Sequence, residues 1–226
     1  MTFSKFILAG IAAASLAACS SNGGGTGGTG GTGGGGTGGG GDYDTELKRV
    51  QDMVPTSDMP TSLNATYTGM TRQDLRETSG GAVVGTMMAD LELTADWTEG
   101  QTTNPWSGKA DNFRGDLDGT DFDLVGELTV ASAESKSITS TIGRTANTIA
   151  LPTGGSTTVA TGAAAINLAG DVDDGTGTNN EVLMSLGGSF FGAGGKAITG
   201  PASTQGFRAG GVRSDLVAGG DFYVEQ

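Results

Sequence analysis

The sequence predicts an all-β fold: an antiparallel, up-and-down, eight-stranded soluble β-barrel, preceded by one short helix and a disordered Gly-rich tether. Three observations carry that expectation. Apolar and polar residues alternate over long runs, the period at which a strand turns one face to a core and the other to water. Asp-Gly and Gly-Gly pairs fall between those runs, where antiparallel strands reverse. Finally, eight Phe, three Tyr and two Trp are too few to build the aromatic girdles and outward apolar bands of a membrane-spanning barrel. About eight half-polar strands expose two sheet edges unless the sheet closes on itself, and closure removes them.

The chain divides into segments 1–18, 19–41, 42–62 and 63–226. Residues 1–18 read as a lipoprotein signal peptide. Lys5 supplies the positive start, Phe6 to Leu16 an apolar stretch too short to span a bilayer, and Ala17-Ala18 the small residues before a cleavage site. Leu16-Ala17-Ala18-Cys19 matches the lipobox of bacterial lipoproteins. That resemblance implies that the Cys19 sulfur takes a diacylglyceryl group, that the chain is cut before Cys19, and that the new amine is acylated. Several acyl chains anchor stably where one alone is marginal. Ser20 follows the cysteine, which by resemblance to Gram-negative sorting implies the outer membrane. Residues 19–41 form the lipidated start and a tether. Gly23 to Gly41 are only Gly and Thr, with nothing to bury, and a flexible spacer of that length spans roughly 25 Å.

Composition narrows the function. The formal charge is −13 and there is no histidine. An acidic surface repels phosphate backbones, which excludes nucleic acid as the expected partner. Without His there is no Ser-His-Asp or Cys-His arrangement, and one cysteine cannot make an intramolecular disulfide or a thiolate cluster. The expectation is a protein that is not an enzyme and that needs no metal or cofactor.

Within 42–62 the sequence predicts a short amphipathic helix over Asp44 to Val54. Asp44 or Thr45 caps it, Leu47, Val50 and Val54 share a face, and Pro55 ends it. The barrel over 63–226 starts with Leu63, Ala65 and Tyr67 alternating with polar residues. The long run Met87 to Trp97 follows, then Trp106 to Phe113 and Phe122 to Val130. Weaker strands are expected at Ile138 to Ile149 and Thr157 to Ala169, and a clear one from Val182 to Phe190. Short strands near Lys196 to Gly200 and Gly206 to Gly210 precede a terminal one at Asp221 to Glu225. Turns are expected at Asp118-Gly119, Asp174-Gly175, Gly194-Gly195 and Gly219-Gly220. Abundant Gly and Ala suit a small barrel filled by its own side chains.

The segments Ala65 to Gly69, Leu91 to Trp97 and Trp106-Ser107-Gly108, with Gly188-Ser189-Phe190-Phe191-Gly192 through Gly200, resemble the barrel domain of the transferrin-binding protein B family. The resemblance covers most of Leu63 to Gln226. It implies a surface lipoprotein whose barrel recognises a protein partner. The sequence departs from the family at Ala193, where Pro is common, and in having one barrel without a second lobe.

Two acidic segments invite comparison with calcium loops. Asp171 to Gly175 and Asp116 to Asp121 lack the glycine and glutamate positions of an EF-hand and read as turns between strands. Trp97 and Trp106 flank the loop Thr98 to Pro105. They read first as a stacked pair across a hairpin and second as rim anchors for a partner. Phe207, Arg208 and Arg213, read as a last long loop, are further candidate contacts. The function expected is an outer-membrane or surface lipoprotein, lipid-anchored at Cys19, that binds a host protein or outer-membrane receptor, for example in iron or nutrient acquisition. The alternative is a lipocalin-like carrier with a small ligand inside the barrel.

Overall fold

The computed structural model describes residues 42–173, 180–209 and 213–226. The lipobox with Cys19, the Gly/Thr tether and the expected Asp174-Gly175 turn lie outside the described residues. Gly41–Gln226 forms one compact unit.

Helix α1 (Tyr43–Gln51) leads into β1 (Ser62–Arg76), β2 (Val83–Thr98), β3 (Trp106–Leu117) and β4 (Thr120–Gly126). A two-residue strand, β5 (Leu128–Thr129), and a short helix, α2 (Val130–Ser135), come next. β6 (Thr141–Ala150), β7 (Ser156–Asp173), β8 (Asn180–Phe191), β9 (Ala197–Ala209) and β10 (Arg213–Glu225) complete the chain. One antiparallel sheet joins the strands in the order β2-β1-β10-β9-β8-β7-β4-β3, and β3 pairs back onto β2. The result is a closed ring of eight strands, as the alternation predicts.

Period two decides what faces inward. On β2, Met87, Ala89, Leu91, Leu93, Ala95 and Trp97 are all buried while their neighbours are not. On β8, Val182, Met184, Leu186 and Phe190 do the same. Tyr67, Phe113, Phe190 and Phe222 are the largest fully buried rings. They belong to one apolar cluster that takes side chains from all eight ring strands. Side chains therefore occupy the interior.

β3 contains a bulge that the alternation alone does not reveal. Register with β2 shifts between Met88 and Asp90, and Asn112 there adopts a left-handed φ of 53°. Its side-chain amide donates to Asp90 Oδ2 at 2.7 Å. The extra residue swaps parity, so Trp106 and Ala110 point inward before it and Phe113 and Leu117 after it.

The turns divide. Asp118-Gly119 is a two-residue loop between Leu117 and Thr120, with φ of 51° and 77°, the backbone of a type I′ hairpin. Gly194-Gly195 also lies in a turn, with φ of 66° and 82°. Gly219-Gly220 corrects the expectation, because both lie inside β10, opposite Asp74 and Gln73 of β1. A Cβ on Gly220 would come within 2.1 Å of the Arg72 carbonyl oxygen. Here glycine permits close strand approach, not reversal.

Further expectations are corrected. The two short strands around Lys196 and Gly206 are one continuous β9, and the terminal strand begins at Arg213. Val130, expected as the last residue of a strand, instead opens α2, whose N-cap Thr129 hydroxyl accepts from the Ser132 N–H at 3.1 Å. Helix α1 stops at Gln51, and Val54 is 76% exposed. Its N-cap is Asp42, which makes no side-chain capping bond.

Helix α1 covers the outside of the β9–β10 wall. Tyr43 and Val50 pack with Ala197 and Tyr223, and Leu47, Met53, Met70, Met88 and Phe191 extend the patch. The Tyr43 hydroxyl donates to the Asp221 carbonyl at 2.7 Å, and Arg72 lies 4.7 Å from the Tyr43 ring centre. Residues 52–61 then bond to both β7 and β8 just beyond their last mutual pair, Ala163↔Ser189. Thr56 N–H donates to Phe190 O, Met59 N–H to Ala160 O, and Met59 is buried in the barrel core.

Candidate binding surface

By geometry, three features are candidate surfaces for a partner: the two ends of the barrel and one projecting hairpin. At the end holding the 52–61 segment, aromatic rings fill the interior. Trp97 and Trp106 are each 4% exposed. The Trp106 indole N–H donates to Thr141 O, and its ring sits 6.2 Å from that of Tyr67. Neither tryptophan offers a ring to solvent, so as rim anchors they are corrected to core residues. They do not pair directly opposite one another: Trp97 stands opposite Leu63, and Trp106 opposite Ala95. The Tyr67 hydroxyl donates to Gly195 O at 2.8 Å and accepts from Gln226 Nε2. Burial pushes its pKa up to about 12. This end is shut by hydrogen bonds and packing.

Phe207 and Arg208 are in β9, and Arg213 is the first residue of β10. In place of the loop that the sequence suggests, the two strands carry them toward the opposite end of the barrel. Their side chains lie outside the described residues. A cleft of about 330 Å³ at that end is lined by Arg76, Ser79, Gly80, Ser203 to Gln205 and Val217 to Gly219. Its one charged side chain is already engaged, since Arg76 donates to Gly81 O and to Asp74.

The hairpin of β6 and the first part of β7 is the feature that alternation did not single out. Its register runs unbroken from Thr141↔Ala165 to Ala150↔Ser156. The ring closes on β7 further along the same edge, through Thr129↔Ala169 and Val125↔Asp173. The hairpin therefore extends past the ring. Thr145 to Ala150 are exposed on both faces of the strand, and Ile149 and Leu151 are 51% and 43% exposed. Its base is fixed by Arg144, whose Nε donates to Met59 O at 2.8 Å and whose guanidinium pairs with Glu99 at 3.1 Å.

From Thr145 to Gly170 there is no charged residue, in a chain with 25 acidic and 12 basic ones. The signal that locates the hairpin in sequence is thus a gap in the charge pattern, not a motif. Chemically the hairpin offers hydroxyls, methyl groups and backbone. Threonine pairs such as Thr148 and Thr158 face each other across it at 3.3 Å. That surface suits recognition by shape and hydrogen bonding.

A scan against protein-family models, a search of curated proteins and a search of solved structures each find no match for this chain.

Proposed function

We propose that the protein is an outer-membrane or surface lipoprotein, anchored through Cys19, whose barrel presents the β6–β7 hairpin to a protein partner. The observation that carries this reading is a hairpin, uncharged beyond Arg144, that projects from the closed ring with Ile149 and Leu151 exposed near its tip. Exposed apolar side chains on a projecting element mark interaction sites. The lipobox and the Gly/Thr tether add a reason for display, since a spacer of roughly 25 Å frees the domain from the lipid surface without releasing it. The resemblance to the transferrin-binding protein B barrel points the same way and suggests a host protein or an outer-membrane receptor as partner.

An interior filled by Tyr67, Phe113, Phe190 and Phe222 disfavours the small-ligand carrier. Anchoring is tested by metabolic labelling with palmitate, where label must appear in the wild type and vanish in Cys19→Ser. Protease treatment of intact cells tests display. Recognition is tested by comparing partners retained from growth medium or serum by the wild type and by an Ile149→Asp, Leu151→Asp double variant. A partner retained equally by both sinks the assignment to the hairpin.

A further inference from the structure

Every ring strand is paired on both sides, so the long open strand edge among the described residues is the outer edge of β6, which pairs only with β7. We propose that this edge is a homodimer interface. β6 of one copy pairs antiparallel with β6 of a second copy about a two-fold axis, and the two barrels share one continued sheet. The proposal goes beyond the recognition reading, because it concerns backbone pairing along the β6 edge and not the side chains of Ile149 and Leu151.

Three observations support it. First, the edge lacks the guards that exposed strands usually carry. Thr145 to Ala150 contain no Lys, no Pro and no register shift, whereas solitary edges are normally interrupted by such features. The nearest charge, Arg144, is drawn away to Glu99 and Met59 O.

Second, charge selects the partner. Two copies of a chain with formal charge −13 repel across most of their surfaces, because a contact sets carboxylates opposite carboxylates. The stretch Thr145 to Gly170 carries none. On it two copies meet without like charges facing each other.

Third, the topology limits the assembly. A strand pairing with its own copy makes an isologous contact that uses the edge up on both sides. Because the ring itself is closed, growth stops at two copies, and backbone hydrogen bonds across Thr145 to Ala150 supply the adhesion. The turn Leu151 to Gly155 stays outside the paired segment.

The test uses the lipid-free chain from residue 20 in sedimentation velocity over a concentration series. The wild type is expected to reach twice the monomer mass, and Asn147→Lys, which sets like charges near the two-fold axis, to weaken the dimer at least tenfold. Ala146→Lys, on the other face of the same strand, must act likewise. Thr120→Lys, the same charge change beside the β3–β4 turn, must leave the dimer intact. Those amides of residues 145–150 that point away from β7 are expected to exchange slowly only in concentrated wild type. A wild type that stays monomeric at the highest concentration, or a dimer that both strand variants leave unchanged, overturns the proposal. A monomer that still needs Ile149 and Leu151 to hold a partner sinks the dimer alone. A dimer whose partner is indifferent to those residues sinks the recognition reading alone.

Discussion

Gly220 and Tyr67 show how single residues close this barrel. Gly220 faces Gln73 across the β1–β10 seam, and its missing side chain lets the strands approach. Gly220→Ala forces a methyl against the Arg72 carbonyl and the backbone of Gln73, with no rotamer to escape into. A loss of about 1–3 kcal/mol is expected, as for overpacked cores, read as a lower urea midpoint. A change within error would mean that the seam widens freely. Tyr67 closes the end through Gly195 O and Gln226. Burial raises its pKa to about 12 in the fold, against about 10 in an unfolded chain. The neutral hydroxyl is favoured by folding, so its contribution is complete below pH 10 and is lost as pH rises through 12. Urea midpoints of the wild type are expected to fall more steeply between pH 10 and 12 than those of Tyr67→Phe. At neutral pH the Phe variant is expected to lose about 1 kcal/mol with its hydrogen bonds. Parallel slopes would remove the hydroxyl from the alkaline transition. Burial of Tyr67 was legible from alternation, whereas the partners of its hydroxyl lie 128 and 159 positions away and no local pattern encodes them.

At the scale of elements, legibility follows how local the cause is. β2 and β8 were plain because their inward faces repeat without interruption. The Asp118-Gly119 hairpin was plain because its backbone needs left-handed φ, which that pair supplies. The bulge at Asn112 was hidden, since parity changes inside β3 and both parities look apolar. Gly219-Gly220 misled because close approach and reversal recruit the same residue type. α2 was missed since Val130 and Ala133, its two buried residues, also suit a strand. Its signal was the Thr129 cap. That cap gives a direct test: Thr129→Ala leaves the Ser132 N–H without its partner and is expected to cost about 1 kcal/mol. The urea midpoint should drop with an unchanged slope, because α2 is a small part of the buried surface. A changed slope would mean that α2 unfolds separately. The projecting hairpin was present in the sequence as weak strands around a charge gap, but its exposure depends on where the ring closes.

That closure is a property of the whole molecule. The first ring strand, β1, pairs with the last, β10, in an unbroken register from Thr68↔Glu225 to Arg76↔Val217. No complete ring exists until residues 141 to 157 positions apart meet. Contacts of such separation are formed late and at high entropic cost. Outside the ring, α1 is bound to both partners of that seam, through Arg72–Asp44 on β1 and Arg49–Glu225 on β10. These pairs are exposed, so most of the adhesion comes from Tyr43 and Val50 on Ala197 and Tyr223. The opposite seam, β4 and β5 on β7, is held by only a few residue pairs around Gly126↔Val172 and Thr129↔Ala169. The ring is therefore expected to open there first, and hydrogen exchange should show residues 124–129 exchanging before residues 68–76. Removing residues 213–226 is the severe case. It deletes the strand that closes the ring, exposes β1 and β9 as edges, and uncovers the apolar side chains of Leu216, Phe222 and Val224's neighbours in the core. Two long edges beside an opened core are a template for intermolecular pairing. The truncated chain is expected to be recovered in the insoluble fraction, while a variant that loses only α1, residues 43–51, keeps a closed ring and stays soluble with a lower urea midpoint. A soluble, cooperatively unfolding chain without β10 would show that the fold does not depend on closure.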